Sequence, residues 1–170
     1  LAAWRLGPSL APNSPDASPP GDASPSGAAS SGLGAGPHRV ERVVDGDTLL
    51  LENRARVRLI GVDAPESVKP NSPVEPFGPE AAEFTRQWIA AAGGQVTLEF
   101  DREPKDRYDR YLAYVWVDRR MLNEEILRAG LATALTQYPY SEDLKLRFLA
   151  AQSEAQAAGR GIWSRAAPTR

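Results

Sequence analysis

Between residues 40 and 164 the spacing of hydrophobic and polar positions changes several times, and each change marks an element. Thr48 to Leu51 and Val57 to Val62 are short aliphatic or β-branched runs separated by the polar Glu52-Asn53-Arg54-Ala55-Arg56. Runs of that length around a polar connector predict an antiparallel hairpin. Residues 95–101 and 110–117 alternate apolar with polar positions and predict two more strands. Behind Gly78-Pro79, residues Ala81, Phe84, Trp88 and Ala92 recur at helical spacing until Gly93-Gly94 ends the helix. A second helix is predicted from Leu122 to Ala129, stopping at Gly130. A third, capped by Ser141, buries Leu144, Phe148, Ala151 and Ala155 and runs to Gly159. Residues 131–140 read as irregular, and Ile162 with Trp163 as a hydrophobic plug. Five short strands and three helices without βαβ alternation define a mainly β, α+β class rather than a doubly wound sheet.

The hairpin carries unusual chemistry at its ends. A turn near residue 54 sets Asp45 or Asp47 across from residues 61–63, so that Asp47 and Asp63 share one end of the ladder and one cation. Five residues separate Arg58 from Asp63, and strict alternation would turn them to opposite faces. An isolated strand glycine, Gly61, predicts a bulge that re-aims them. Pro65 then ends the strand and leaves Glu66 on a loop beside the acids. Clustered carboxylates repel one another unless a cation or arginine offsets them. Oxygen donors without cysteine favour Ca²⁺ or Mg²⁺ over zinc or copper. Taken singly, each residue has a plainer explanation: Asp45-Gly46 as a turn, Asp63 as a strand end, Arg58 as a solvated charge. In the charged segment 102–109 the plain reading is a solvated hairpin tip, whereas beside a cation site Arg107, Tyr108 and Arg110 supply donors suited to phosphate.

Composition narrows the field. The 170 residues suit one domain with a usable core. A net charge of −2 provides no global basic field for nucleic acid, so any polyanion site must be local. Zero cysteines exclude a disulfide framework, a thiol nucleophile and a cysteine zinc site. The single histidine, His38, lies away from the acids and removes histidine acid–base schemes. Residues 1–37, rich in Ala, Pro, Ser and Gly, are expected to be a disordered linker, followed by a domain over 38–165 and a flexible tail over 166–170. Such a linker, opening on Leu1-Ala2-Ala3-Trp4-Arg5-Leu6, which reads as the tail of a signal or membrane anchor, is compatible with export and an extracytoplasmic location. Residues 67–76 carry three prolines and form a loop of the kind that closes over substrate.

Five ordered motifs share a resemblance. Asp45-Gly46-Asp47-Thr48, Arg58 to Glu66, Phe77-Gly78-Pro79-Glu80-Ala81, Asp106 to Arg110 and Gly161-Ile162-Trp163-Ser164 resemble the staphylococcal nuclease (thermonuclease) family. The likeness implies an OB-fold, a five-stranded Greek-key barrel with three packed helices. It also implies a Ca²⁺-dependent nuclease acting on DNA and RNA with little sequence specificity, leaving 3′-phosphate products. By resemblance, Asp47 and Asp63 ligate Ca²⁺ through carboxylates and Ala64 through its carbonyl. Glu66 then orients or deprotonates the attacking water, and Arg58 with Arg110 grips the scissile phosphate. Arg107 and Tyr108 match positions that hold a terminal phosphate, and Tyr138 a position that stacks on the base. Arginine stands at 107 where lysine is familiar, alanine at 64 where threonine is common, and the hairpin loop near Asn53 is short. Substrates are expected to be single-stranded or frayed, and the protein a monomer. Two other readings use the same residues: a catalytically inactive OB-fold nucleic-acid-binding module, and a calcium-binding structural domain that leaves Arg58 and Arg110 without a task.

Overall fold

The computed structural model describes residues 32–67 and 74–164. The described chain runs β1 (Gly36–Asp45), β2 (Thr48–Leu51), β3 (Arg56–Leu59), β4 (Val62–Asp63), α1 (Gly78–Ala91), β5 (Gln95–Lys105), β6 (Tyr111–Val117), β7 (Arg120–Met121), α2 (Leu122–Arg128), β8 (Thr133–Ala134), α3 (Glu142–Ala157) and a 3₁₀ turn, Gly161–Trp163. Strands β3, β2, β1, β5 and β6 pair in that order, and β6 returns to β3 in parallel. Val57 lies level with Tyr111, Arg58 with Leu112 and Leu59 with Ala113. That seam closes a five-stranded OB-type barrel, to which β7 adds a hairpin extension and three helices are packed. Closure removes the exposed edges that an open five-stranded sheet would present.

Alternation within each strand decides which face is core. Leu49, Leu51, Val57, Leu59, Val96, Leu98, Ala113 and Val115 are essentially solvent-free and fill the barrel, with Leu122, Ile126, Leu127 and Phe148 closing it from α2 and α3. Each fully buried aliphatic or aromatic side chain contributes about 1.5–3 kcal/mol of transfer free energy. Arg58, between Val57 and Leu59, therefore points outward from the barrel wall.

Several expectations are corrected. The run Val57–Val62 is two strands, β3 and β4, because Gly61 takes φ +73° and breaks the ladder. The hairpin register sets Asp47 level with Leu59, whose amide donates to the Asp47 carbonyl, rather than with residues 61–63. Residues 131–140 contain β8, which pairs with β4. β5 continues through Arg102 to Lys105, so the charged tip is shorter than expected. On α1 the solvent-free side chains are Ala81, Ala82, Thr85 and Ile89, while Phe84 and Trp88 lie half-buried beside them. Trp163 is likewise half-buried rather than a plug. β1 begins at Gly36 and Leu33 donates to the Tyr111 hydroxyl, so structured chain starts ahead of position 38. The expectations for residues 1–31, for positions 68–73 of the proline loop and for 165–170 lie outside the described residues.

Candidate active site

The Asp45-Gly46-Asp47 turn between β1 and β2 is fixed from two sides. The Thr85 hydroxyl of α1 donates to the Gly46 carbonyl at 2.6 Å. Asp47, 1 % exposed, accepts from the Thr48 hydroxyl at 2.9 Å and from the Ala64 amide at 2.7 Å. One Arg58 nitrogen pairs closely with Asp47, while another donates to Asp63 Oδ1 at 2.8 Å and to the Val62 carbonyl at 3.3 Å. Arg58 thus forks between a buried carboxylate and a half-exposed one, and the two acids meet through it rather than across a hairpin rung.

The break at Gly61 makes this fork possible. With the strand interrupted there, Asp63 turns to the face that carries Arg58, which an unbroken strand would forbid. The position demands glycine twice over, by its positive φ and because an added Cβ would lie 2.7 Å from the Tyr140 ring.

Electrostatics leaves the centre short of positive charge. Burial is the strongest influence on Asp47 and pushes its carboxyl above the usual range. Arg58, the Ala64 amide and Thr48 pull it down without cancelling that, and Asp63 adds repulsion. Burial also works against the Arg58 charge, yet Asp47 and Asp63 together hold its guanidinium above its ordinary value, permanently protonated.

Glu66 is held by its backbone. Its amide donates to Glu75 Oε2 at 3.3 Å and its carbonyl accepts from the Glu75 amide at 3.0 Å. The start of α1 closes onto it so tightly that a Cβ on Gly78 would come within 2.3 Å of the Glu66 carbonyl oxygen. Next in the chain, Ser67 donates its hydroxyl, at 2.6 Å, and its amide to Asp45 Oδ1. The first acid of the turn therefore anchors the segment carrying the last one.

A second group sits at the β5–β6 tip. Asp106 accepts from Arg110 Nε at 2.8 Å and from the backbone amides of Tyr108 and Arg110, which aims the Arg110 guanidinium. Arg107 and Arg110 lie over the Tyr108 ring at 4.8 and 5.5 Å, and Tyr108 itself is exposed. Register places Arg110 immediately before Tyr111, the residue level with Val57, so Arg110 stands at the start of the seam beside Arg56 and two positions short of Arg58.

The structure thus brings Asp47, Asp63, Ala64 and Arg58 into one contact group, sets Glu66 three residues on, and holds Arg107, Tyr108 and Arg110 as a neighbouring group. Tyr138 is exposed on the segment after β8, and the buried tyrosine of that segment is Tyr140. The positioning roles of Asp106, Thr85, Glu75 and Ser67 escaped the sequence reading, although Asp106 opens one of the five motifs, since a side chain that positions another by one hydrogen bond has no spacing signature.

Among the described residues no group of three or more His, Cys, Asp or Glu side chains encloses a metal position. The donor chemistry nonetheless fits a hard cation. Two carboxylates offer about four acceptor sites each, and the hydrogen bonds above occupy three on Asp47 and one on Asp63. Asp63 faces solvent with most of its capacity open, and water completes such a coordination sphere.

An OB-type barrel bearing acids and forked arginines on its outer wall defines the class, a phosphate-handling site on a barrel surface. Residues 56–165 match the family described as staphylococcal nuclease homologue. The chain is 46 % identical over 129 residues to a thermonuclease of Staphylococcus intermedius, covering 74 % of this chain and 75 % of that protein. It is 44 % identical over 133 residues to a thermonuclease of Staphylococcus hyicus, covering 75 % of each. Endonuclease YncB of Bacillus subtilis (strain 168) is 35 % identical over 130 residues, 74 % of this chain and 61 % of that one. The chain belongs to the staphylococcal nuclease family and is a nuclease, a hydrolase of phosphodiester bonds.

Proposed function

We propose that this nuclease depends on Ca²⁺ and hydrolyses DNA and RNA with little sequence specificity, preferring single-stranded or frayed segments, acting as a monomer and leaving 3′-phosphate ends. The observation that carries the reading is Arg58 forked between Asp47 and Asp63 on the outer wall of the barrel. Two carboxylates sharing one guanidinium keep a net negative charge that attracts a cation, and the arginine among them is placed to meet an anion arriving with it.

Asp47, Asp63 and the Ala64 carbonyl would hold the cation. When bound, it supplies positive charge against the scissile phosphate as negative charge grows there. Arg58 and Arg110 donate to the phosphate oxygens, and their rigid forks suit a trigonal-bipyramidal geometry better than a point charge does. Glu66 accepts a proton from, or orients, the water that attacks phosphorus in line with the leaving oxygen. Arg107 and Tyr108 hold a neighbouring phosphate. Tyr138, exposed, stacks on a base, an interaction indifferent to sequence.

Incubation with single-stranded DNA, duplex DNA and RNA, in Ca²⁺, in Mg²⁺ and in chelator, tests this directly with Glu66→Gln alongside. Cleavage that requires Ca²⁺ and drops at least a hundredfold in the variant is expected. Retardation of nucleic acid by folded protein without any cleavage would replace the reading with the inactive binding module.

A further inference from the structure

The outer wall of the barrel carries more positive charge than cleavage at one phosphate requires. Arg42 on β1 lies directly opposite Leu50 on β2, and Leu50 directly opposite Arg56 on β3. Residues opposite one another across a ladder project to the same face. Leu49 and Leu51, on either side of Leu50, belong to the core, so the row Arg42, Leu50, Arg56 lies on the outer side of the sheet, with both arginines exposed and Leu50 covered between them. Arg58 is two residues further along β3 and shares that face. Arg56 is therefore about 7 Å from Arg58 along the strand, and Arg42 about 10 Å from Arg56 across the sheet.

Arg42 and Arg56 are both exposed, and neither has an ion-pair partner among the described residues. The nearby acids are committed elsewhere. An irregular step in the β1–β2 register isolates Glu41, which accepts twice from Arg54 at 2.7 and 2.9 Å, and Glu52 pairs with Arg39 at 3.8 Å. Asp45 accepts from Ser67. In a chain of net charge −2, this leaves a local cationic row that continues from the proposed reaction centre toward β1.

We infer that Arg56 and Arg42 form a phosphate track that carries the polynucleotide strand away from the scissile phosphate across β3, β2 and β1. The inference rests on the nuclease reading of the Arg58 centre and extends it to the course of the substrate. The exposed groups of the row are the two guanidinium side chains, with Leu50 buried between them and no aromatic ring, so it grips backbone and reads no base. Its occupant is a single strand, whose phosphates are free to follow a curved wall. Chains longer than a dinucleotide gain from the track, and the gain belongs to binding, hence to KM.

The test uses the full chain in chelator with labelled oligodeoxynucleotides about 12 nucleotides long, measuring affinity against salt. Each phosphate contact on a single strand contributes about 0.7 to the slope of log K against log salt, so R42A/R56A is expected to lower the slope by about 1.4. The loss should be equal for thymine-rich and adenine-rich strands, and R42K/R56K should retain the slope. Arg54→Ala, which removes a paired guanidinium outside the row, serves as the comparison. With Ca²⁺ present, R42A/R56A should raise KM for the oligonucleotide. An unchanged slope in R42A/R56A, from a protein whose parent binds and cleaves, would overturn the track and leave the nuclease reading standing. A parent chain that neither binds nor cleaves overturns both.

Discussion

Arg58 is the residue through which the centre coheres, because it alone contacts both Asp47 and Asp63 among the described residues. Its fork makes lysine a poor substitute: a single ammonium keeps the charge but reaches one acid at a time. Arg58→Lys is expected to fold and to lose roughly a hundredfold or more in kcat, the scale for removing one stabiliser of transition-state charge. Steady-state kinetics with a melting curve checks it, and a fully active Arg58→Lys would show that the fork is dispensable. Asp106 plays a positioning part for Arg110. Burial opposes its charge, but the Arg110 and Tyr108 amides and the Arg110 guanidinium outweigh it and hold the carboxyl below its usual range. Asp106→Asn should reduce kcat about tenfold with Asp106→Glu partly restoring it, since a loosened guanidinium still reaches phosphate part of the time.

At the scale of elements, the break between β3 and β4 decides whether the site exists. Gly61→Ala adds a methyl group against the Tyr140 and Phe148 rings at a positive φ. Strain of this kind is worth about 1–3 kcal/mol before the clash is counted. The expected result is a lower Tm together with lost activity, as Asp63 turns from Arg58. Nearby, the Tyr140 hydroxyl is buried without a hydrogen-bond partner among the described residues, and burial, with Glu142 nearby, raises its pKa to about 12. Tyr140→Phe should therefore leave stability unchanged or raise it by up to about 1 kcal/mol, measured by denaturant unfolding. A large destabilisation would reveal a partner for that hydroxyl. These cases also show what the sequence could convey. Helices α2 and α3 were readable from aliphatic spacing and from the Ser141 cap, which the structure confirms through its acceptance from the Leu144 amide. The turn at Gly61 was readable as a disturbance but not as a break, since one glycine accommodates either. β8 has two residues and no periodicity, and it exists because β4 needs a partner.

For the molecule as a whole, closure of the barrel rests on a buried polar side chain. Asn123 of α2 donates to the Ile60 and Ala113 carbonyls at 2.9 and 3.4 Å and accepts from the Val115 amide at 2.9 Å. It stitches the β3–β6 seam from outside, where parallel pairing ends. Asn123→Ala would leave buried backbone groups unsatisfied at about 1–3 kcal/mol each, so a loss of at least about 2 kcal/mol is expected. Asp101 performs a similar task between β5, β6 and α3, accepting from the Tyr114 hydroxyl and the Ser141 and Arg102 amides. Burial raises its pKa, but those donors win and hold it below the ordinary 3.8. Because the folded value is the lower one, its contribution is complete above pH 3.8 and disappears as pH falls through the folded value. Asp101→Asn should thus weaken the protein at neutral pH and flatten its acid unfolding below about pH 4. Neither tie was legible beforehand, because each joins residues distant in sequence through a single polar atom. The five motifs fared better: they mark the turn, the forked arginine and the β5–β6 tip, all local in sequence.

On the proposed function, the Asp47, Asp63 and Arg58 group is the cation-dependent centre of phosphodiester cleavage. The direct measurement is the initial rate of single-stranded DNA cleavage across a Ca²⁺ titration, for the parent chain and for Asp63→Asn, each with its unfolding curve. The expected results are no cleavage in chelator, saturable activation by Ca²⁺, and a loss of about a hundredfold or more in a variant that unfolds like the parent. Cleavage that persists in chelator, or a folded Asp63→Asn that cleaves at the parent rate, would contradict it.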